Sequence, residues 1–582
     1  MFYETIQMSI IEENGLYWTK KVALSKRLID PLGVGLFRMQ ESYFFKGITT
    51  QTEHLKYYTF LAWAFHKRSN LVDSPKNLIL NLEKIFTLIS ANHHKNSSIS
   101  GLTNIESAKK FLQENENYNL EKIMDFGGHN TEGYGSKNYK GSLVELEICW
   151  NEDGEFFIST AGKEISEIFS ESIRNIENKL TSKSFSKNDL EEFNQICLCT
   201  NKSSEQQFWK KIFFGLTKKS RNDIEIDNSK KIVIKNPYEL TFERFKISEV
   251  DTINADIDNL FSEFQKNKVE DESIEMMRTG TLFLILKIIK SSKIEIKGEL
   301  GKQAIRDAIY YSQIIHQEKV NKIDFEVLEP FRKFWEVYVH NLYYISIFDR
   351  ILSIIIHITK RNPLGIDIDG ISNKISLEIV IKTINDLGIN VHPSESILDV
   401  YSKLSKKLNR KNTTLESSIN ENRILKKLVR SKDISKSIAG ILIIFLLCKY
   451  RYSSFDKKQL ETLSYKQDPV VNIHPSKMYA DIEQNTISEF IEWIFSYVIK
   501  RHSYISMKKM QAGTNAWLFT KEANEIFYYP RKEYKFTAYP EARWRNVIEI
   551  ISDLGLISKI SEKNNEFWKL TVEGEEWLKQ IQ

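Results

Sequence analysis

The sequence predicts a mainly α-helical protein of several domains that carries two small α+β modules. Three observations lead to this prediction. The chain has 582 residues, more than one hydrophobic core holds, so we expect three or four domains. Its 10 prolines and 23 glycines are few for that length, which favours long helices over many short strands. Two stretches far apart in the chain share the order helix, hairpin, helix.

The composition is that of a folded protein in a reducing compartment. Apolar residues make up 41% of the chain and charged residues 27%, an ordinary balance for globular domains. The four cysteines are Cys149, Cys197, Cys199 and Cys448, and their spacing matches no disulfide framework. Cys197 and Cys199 form a C-x-C pair without a third ligand at zinc spacing, and His93 and His94 form no ligand set of their own. The sequence therefore predicts a cytoplasmic protein without a metal or other cofactor.

Membrane association is not expected. Residues Met1–Gly15 contain acids and no apolar core, so they do not read as a signal peptide. The longest apolar run, Ile438–Cys448, is too short to cross a bilayer and has a lysine on each side. We interpret this run as a buried helix.

The first domain is expected to cover residues 1–200. Its helices are predicted at Glu53–His66, Asn77–Ala91 and Ile105–Gln113, the first with Thr50 or Thr52 as N-cap. The aromatic residues of the first helix are too many for one narrow face, so that helix should be buried on several sides. They are Tyr57, Tyr58, Phe60, Trp63 and Phe65.

The first module falls at about residues 125–175. Tyr139–Ile148 reads as a short helix, and Cys149–Thr160 reads as a hairpin that turns at Glu152-Asp153-Gly154. Ala161–Ser172 returns to helix. A polar stretch at 201–245 is predicted to be a linker between this region and a helical domain at 246–460.

The longest predicted helix lies in that helical domain. It covers Pro330–Lys360, with the proline in the first turn, where its missing N–H costs no hydrogen bond. The helix should end before Pro363, because the residue before a proline disfavours helix.

The second module lies in a C-terminal domain predicted at 461–582. A helix at Glu541–Leu554 is followed by a hairpin at Ser558–Leu570 and by a last helix that begins at Thr571. The hydroxyls of Ser159 and Thr571 stand where they can cap the helix after each hairpin. Gly162 and Gly574 follow three residues later and should let that helix approach the hairpin closely. Helix, hairpin and helix in this order are typical of winged-helix domains.

Local charge makes the second module a candidate for nucleic-acid contact. The net charge of the whole chain is only +5, so a phosphate-binding surface must be local. Lys500–Arg545 carries ten basic and four acidic residues, with aromatic residues between them, a pattern suited to phosphate contact and base stacking. The alternative is a solvated basic face over an aromatic core. The candidate DNA-binding residues are Lys508, Lys509, Arg531, Lys532, Lys535, Arg543 and Arg545.

Two other stretches bear on binding. Tyr401–Ser437 carries eleven basic and three acidic residues, and its part Ser402–Arg430 either lines a phosphate groove or forms a solvated helix surface. The first module is acidic around its hairpin, at Glu145, Glu147 and Glu152 among others. For the first module we therefore expect a protein partner.

Two patterns bear on catalysis. Asp271 precedes Glu295-Ile296-Lys297, an order that some metal-dependent nucleases use at strand ends, but Met276–Lys290 between them reads as a helix and breaks that geometry. Arg350 and His357 form an Arg-x6-His pair, a spacing found in some helical ribonucleases, and they share a helix face. The same pair on an apolar helix is also common without function.

The N-terminal pattern resembles a family of bacterial proteins encoded in anti-phage defence islands. The resemblance rests on the order DPLGVG…FFKGITTQTEHLKYYTFLAWAF over Asp30–Phe65, on Tyr139–Phe169, and on Arg501-His502…Phe519…Asp553–Ile557. Lys56 departs from that family, which has arginine there. These motifs cover about a quarter of the chain. The resemblance implies a defence operon whose ATPase or nuclease is a separate chain.

These observations predict a non-catalytic subunit of a bacterial anti-phage or anti-plasmid defence complex. We expect it to bind DNA without sequence specificity and to dock a protein partner such as an SMC-like ATPase or a nuclease. Two alternatives stay open at this point. One is a helical RNase or diverged nuclease, and the other is an adaptor whose winged-helix modules bind only protein.

Overall fold

The structure is a computed structural model, and it describes eighteen parts of the chain. They are residue 32 and residues 45–49, 53–69, 78–97, 105–115, 117–119, 134–152, 155–180, 184–214, 271–291, 294–295, 299–316, 319–409, 419–456, 475–511, 517–529, 543–562 and 565–579. In these parts the protein is mainly α-helical with small antiparallel sheets, which confirms the predicted fold class.

The helices of the described residues are numbered in chain order. They are α1 (Leu55–Ser69), α2 (Leu78–His93), α3 (Ile105–Glu114), α4 (Tyr134–Glu145), α5 (Thr160–Ser172), α6 (Glu177–Leu180), α7 (Lys187–Glu192), α8 (Ser203–Phe214), α9 (Asp271–Ser291), α10 (Glu299–Tyr311), α11 (Glu329–Lys360), α12 (Ile368–Ser372), α13 (Leu377–Asp386), α14 (Ile397–Asn409), α15 (Glu421–Ile424), α16 (Ile434–Tyr452), α17 (Pro475–Ala480), α18 (Ile487–Gln511), α19 (Trp544–Asp553) and α20 (Val572–Lys579).

The strands are short and pair antiparallel. They are β1 (Asn117–Asn119), β2 (Cys149–Glu152), β3 (Glu155–Ile158), β4 (Ser184–Ser186), β5 (Ile294–Glu295), β6 (Gln313–His316), β7 (Lys319–Lys322), β8 (Phe519–Glu522), β9 (Glu525–Tyr528), β10 (Ile557–Glu562) and β11 (Asn565–Leu570). Two-stranded sheets form from β1 with β4, β2 with β3, β6 with β7 and β8 with β9, and one three-stranded sheet has the order β10-β11-β5.

Helix α1 is the centre of the N-terminal core. Its side chains are buried around the whole helix, as the sequence predicted. Tyr57 stacks on Tyr139 of α4, with ring centroids 4.4 Å apart, and Phe60 stacks on Phe86 of α2 at 4.4 Å. Because aromatic rings cover a large area, one helix can hold α2, α4 and α5 around it.

Helix α11 is the longest element of the described residues and differs from its predicted range by one residue. Pro330 lies in its first turn, where the prediction placed it. The helix is long and apolar enough to cross a membrane, but 78% of its most apolar window is buried inside the protein. Length and composition alone therefore do not separate it from the core helix of a soluble protein.

A buried polar network joins four helices of the middle region. The Arg451 guanidinium of α16 lies 3.1 Å from Glu336 of α11 and stacks over the Tyr310 ring of α10, 4.1 Å from its centroid. Glu421 of α15 accepts hydrogen bonds from the hydroxyls of Tyr310 and Tyr311. Burial, with the nearby Arg451 charge, lowers the pKa of His340 to about 3, so its ring is neutral. The Arg451 charge is thus paired inside the core, and hydrogen bonds to the Glu421 carboxylate connect α10 to α15.

The two predicted helix–hairpin–helix orders are both present. The first unit, as we name it, is α4-β2-β3-α5, and the second unit is α19-β10-β11-α20. In the first unit Ser159 Oγ accepts a hydrogen bond from the Gly162 amide at 3.0 Å, and in the second Thr571 Oγ1 accepts one from the Gly574 amide at 3.0 Å. The predicted caps are thus confirmed.

The helix before each hairpin also ends in the same way. A residue shortly before the first hairpin strand has a positive φ in both units, 57° at Glu147 and 77° at Gly555. The following amide then donates back to a carbonyl five residues earlier, Ile148 to Leu143 at 2.9 Å and Leu556 to Ile551 at 3.2 Å. This is the backbone arrangement that commonly stops a helix and redirects the chain.

The second unit contains a strand from a distant part of the chain. Ile294 and Glu295 of β5 pair with Trp568 and Phe567 of β11, so the hairpin becomes a three-stranded sheet. Helix α9 packs on β11, α19 and α20, and α10 packs on α19. The second unit is therefore completed by elements that lie far before its hairpin in the sequence.

Candidate nucleic-acid interface

Residues 45–49 and 53–55, which we call the connecting stretch, lie between the two units. On the side of the first unit, the Gly47 amide donates to Glu145 Oε2 at 2.8 Å, and the Lys46 ammonium lies 3.8 Å from Glu147. Tyr58 of α1 donates to the Gly47 carbonyl at 2.6 Å. Two acids of the first unit thus hold this stretch in place.

On the other side of the connecting stretch, Asp553 of the second unit is the main acceptor. Its carboxylate accepts from the Leu55 amide at 2.9 Å and pairs with His54 Nδ1 at 3.2 Å. Burial by itself lowers the pKa of His54, but the Asp553 carboxylate, together with Glu549 and Glu53, outweighs that effect and raises the pKa above its usual value. Asn546 adds a hydrogen bond to the Thr49 carbonyl at 2.7 Å. Two of the segments that carry the family resemblance are therefore in contact with each other.

Two candidate DNA-binding residues of the second unit are described with their side chains. Arg543 is half-buried and donates to the Ile48 carbonyl, so its guanidinium joins the connecting stretch to the second unit. Arg545 is 51% exposed and lies 3.7 Å from Glu53, which leaves much of its side chain at the surface. Arg543 therefore has a structural contact that the sequence did not indicate, whereas Arg545 faces solvent.

The other five candidates are not described as side chains. Lys508 and Lys509 lie on α18, and their side chains are outside the described part. Arg531, Lys532 and Lys535 are outside the described residues altogether. For these five the assignment stays a prediction.

A different basic surface is well described. It consists of exposed side chains on and between α15 and the start of α16, and we call it the basic ridge: Arg423, Lys427, Arg430, Lys432 and Lys436. Of the two acids in the same stretch, Glu421 is 1% exposed and Asp433 caps the first turn of α16. The ridge thus presents five positively charged side chains. Neither of the two acids in the same stretch is fully exposed.

Arg350 supports the basic ridge from beneath. Its Nη2 donates to the Ser431 carbonyl at 2.7 Å, and its Nε donates to Ser437 Oγ at 2.9 Å. Ser435 Oγ accepts from the Ser376 amide at 2.9 Å, which ties the same loop to α13. The backbone that carries the ridge is therefore fixed by buried and half-buried polar contacts.

This arrangement bears on the Arg350/His357 pair. Since Arg350 holds the ridge loop, its guanidinium is engaged within the protein. His357 is exposed, and burial, together with Arg361 and Arg350, lowers its pKa below the usual value. The ring is therefore neutral at physiological pH. The contacts of Arg350 favour a structural role for it.

The two parts of the nuclease-like pattern, Asp271 and Glu295, are separated by a helix, as expected. Asp271 begins the 21-residue helix α9, and Glu295 lies beyond it in β5. The predicted helix between them is confirmed, and Glu295 belongs to the edge of the second unit's sheet.

The hairpin of the first unit exposes an aromatic pair. Trp150 of β2 and Phe157 of β3 are opposite each other in register and stack with centroids 5.5 Å apart. Phe157 is 38% exposed, while Cys149 and Ile158 on the other face are buried. This alternation places the aromatic pair on the hairpin face opposite to the buried one.

One cluster was missed by the sequence reasoning. His93 and His94 at the end of α2 meet Cys197 and Cys199, and one ligand atom from each lies within 4.8 Å of the others. The hydrogen bond from the Cys199 thiol lowers the pKa of Cys197 to about 4 and raises that of Cys199. The two pairs are more than a hundred residues apart, so ligand spacing within one motif could not find them. The adjacent pairs His-His and Cys-x-Cys were the signal that the sequence offered.

The class that the described residues define is a mainly α-helical protein with small helix–hairpin–helix units. Comparison of the chain with protein-family models, with curated proteins and with solved structures found no match.

Proposed function

We propose that this protein is a non-catalytic, nucleic-acid-binding scaffold subunit of a bacterial anti-phage or anti-plasmid defence complex. In this proposal its two units are winged-helix modules. The basic ridge and the exposed side of the second unit contact DNA, and the first unit docks a protein such as an ATPase or nuclease. The defence context rests on the family resemblance of the sequence.

The basic ridge is the observation that carries the DNA-binding part. Its five exposed cations lie within fourteen residues, on a loop held by Arg350 and Ser435. Lysine and arginine side chains grouped on one surface can contact several phosphates together and release counterions from the nucleic acid. Such a surface contacts the phosphates and not the bases, so we expect the binding to be independent of the DNA sequence.

We expect reversal of charge on the ridge to weaken DNA binding strongly. In the variant K427E/R430E/K432E the affinity for a duplex should fall about a hundredfold or more at 0.1 M salt, because about three phosphate contacts are lost. The slope of log affinity against log salt concentration should decrease by about 2.7. Fluorescence anisotropy with a labelled duplex of arbitrary sequence measures both quantities.

The matched control reverses three exposed lysines of the N-terminal helices, in K110E/K163E/K187E. It changes the net charge equally and should keep most of the affinity. Equal loss in both variants would show that only the total charge matters. If the unaltered protein bound no DNA at low salt, the DNA-binding part of the proposal would be wrong, and the purely protein-binding adaptor would be favoured over it.

Protein docking is supported by the aromatic pair of the first hairpin. Aromatic residues that are partly exposed on a hairpin are typical anchors of protein interfaces. We expect Phe157→Glu to reduce the recovery of the partner at least tenfold, since loss of one aromatic anchor costs about 2 kcal/mol or more. Pull-down of the tagged protein from nuclease-treated native lysate, with quantitative mass spectrometry, measures the recovery.

The matched control is Leu364→Glu, which adds the same charge at a side chain that is 89% exposed and lies outside the first unit. It should leave the recovery unchanged. Equal recovery with Phe157→Glu and with the unaltered protein would remove the hairpin from the docking surface, while the DNA-binding result would stand by itself.

A further inference from the structure

The His93/His94/Cys197/Cys199 cluster has the composition of a structural zinc site. Two thiols and two imidazoles form a set that zinc binds in tetrahedral geometry. The ligand atoms lie within 4.8 Å of one another. Cys197 is buried, His94 is half-buried, and His93 and Cys199 are exposed. The cluster therefore lies at the surface, and its Cys197 side borders the core.

Two distances in the cluster already match the edges of a zinc tetrahedron. With zinc–sulfur bonds of about 2.3 Å and zinc–nitrogen bonds of about 2.0 Å, two sulfurs lie about 3.8 Å apart and a sulfur and a nitrogen about 3.5 Å. Here the Cys197 and Cys199 sulfurs are 3.6 Å apart, and Cys199 Sγ is 3.4 Å from His93 Nδ1. The remaining pairs can close by rotation of the histidine side chains, which lie at the end of a helix.

His94 supplies an independent indication. Its Nδ1 is paired with Ser97 Oγ at 3.0 Å, which leaves Nε2 as the nitrogen able to bind an ion. That Nε2 atom is buried and has no hydrogen-bond partner among the described residues. A buried polar atom without a partner calls for an explanation, and a bound cation provides one. Fixing of one ring nitrogen by a second hydrogen bond is usual for metal-binding histidines.

The backbone around the cluster is also held in place. The Leu198 amide, between the two cysteines, donates to Ser90 Oγ of α2 at 3.3 Å, and the Leu198 side chain is fully buried. Thr200 closes the loop with a hydrogen bond to the Cys197 carbonyl at 2.7 Å. The Cys-x-Cys loop is therefore fixed against the end of α2, where the two histidines lie.

We propose that His93, His94, Cys197 and Cys199 bind one Zn²⁺ ion that holds the end of α2 to the loop before α8. Helix α8 carries Glu205, which pairs with Lys56, and Gln206, which donates to the Asp553 carbonyl at 2.9 Å. The ion thus stabilises the helix that contacts both α1 and the second unit. This inference is independent of DNA binding and of the defence context.

The test uses the full-length protein, made in zinc-supplemented medium and purified under reducing conditions without chelator. Metal analysis should give about one zinc per chain, and Cys199→Ser and His93→Ala should each retain less than about a tenth of that amount. Both side chains are exposed, so the variants should fold. His392→Ala, at an exposed histidine on another part of the chain, is the matched control and should keep its zinc.

A second readout identifies the ligands. Cobalt(II) added to the metal-free protein should give the thiolate-to-cobalt charge-transfer band and the intense visible bands of a tetrahedral site, and Cys199→Ser should give neither, in keeping with its loss of zinc. Chelation should lower the melting temperature of the unaltered protein by about 2–4 °C or more and leave Cys199→Ser unchanged. Zinc content equal in all four proteins, or a Cys197–Cys199 disulfide without a cobalt spectrum, would overturn the proposal; the disulfide would assign the cysteines to redox chemistry.

Discussion

Replacement of Lys56 by alanine is expected to lower the free energy of unfolding by about 3–5 kcal/mol. Lys56 and Glu205 form an ion pair inside the N-terminal core, with Nζ 2.8 Å and 3.0 Å from the two carboxylate oxygens. The side chains are 0% and 1% exposed. Removal of the lysine leaves a buried carboxylate without the cation that neutralises it. The urea midpoint, combined with the slope of the transition, measures the loss.

The pKa shifts agree with such a buried pair. Burial lowers the pKa of Lys56 and raises that of Glu205, in each case against the opposing effect of the partner. Each charge is thus kept mainly by the other. The double variant K56M/E205M should recover most of the stability, since apolar side chains of similar size remove both desolvation costs.

Lys110→Ala provides the matched control for Lys56. Lys110 pairs with Glu114 on the surface of α3, where both side chains are more than half exposed. Its loss should change the stability by about 0.5 kcal/mol or less. A loss below about 1 kcal/mol for Lys56→Ala would mean that water or a rearranged side chain reaches Glu205, in conflict with the burial described.

Gly574→Ala is expected to lower the free energy of unfolding by about 2–4 kcal/mol. A Cβ atom at this position would lie 2.0 Å from the Leu556 carbonyl oxygen, and that oxygen belongs to backbone that accepts the Thr571 amide. Backbone beside a sheet cannot move aside as a flexible side chain can. The helix after the hairpin must therefore shift, and the Thr571 cap should weaken with it. Thermal denaturation, monitored by circular dichroism, measures the change in stability.

The first unit offers the same test at Gly162, where a Cβ would lie 2.2 Å from the Ile148 carbonyl oxygen. Gly162→Ala should destabilise to a similar extent. Gly141 of α4 is the control, because an added Cβ there would meet nothing within 4 Å outside its own helix backbone and chain neighbours. Gly141→Ala should stabilise the protein by about 0.5–1 kcal/mol. If all three variants melted alike, close helix–hairpin contact would not be what selects glycine.

The sequence predicted both helix–hairpin–helix units with their caps because the responsible interactions are local. Ser159 and Thr571 bond to amides three residues ahead, and the glycines follow from the same short pattern. Helix α11 was likewise predicted to within one residue, since its apolar periodicity and its proline are properties of one continuous segment. Interactions within about ten residues leave a readable pattern.

Interactions across the chain left no such pattern. Nothing in the sequence pairs Lys56 with Glu205, or brings His93 to Cys199, because each partner lies more than a hundred residues away. Arg543 was interpreted as a phosphate contact from its charge alone, and nothing in the sequence indicated its hydrogen bond to the backbone carbonyl of Ile48. The sequence indicates only that a charged side chain must be either hydrated or paired. The fold determines whether it is hydrated or paired.

The pairing of strand β5 with strand β11 matters while the chain is still being synthesised. Its partner strand β11 leaves the ribosome only after about 270 further residues have been added. Until then the side of α9 that packs on β11 and α20 has no cover. A chain whose synthesis stops within that interval therefore exposes this side of α9, which is prone to aggregation. In a chain that contains β11 the same side is buried. Chaperones and proteases can thus distinguish copies that lack β11 from copies that contain it.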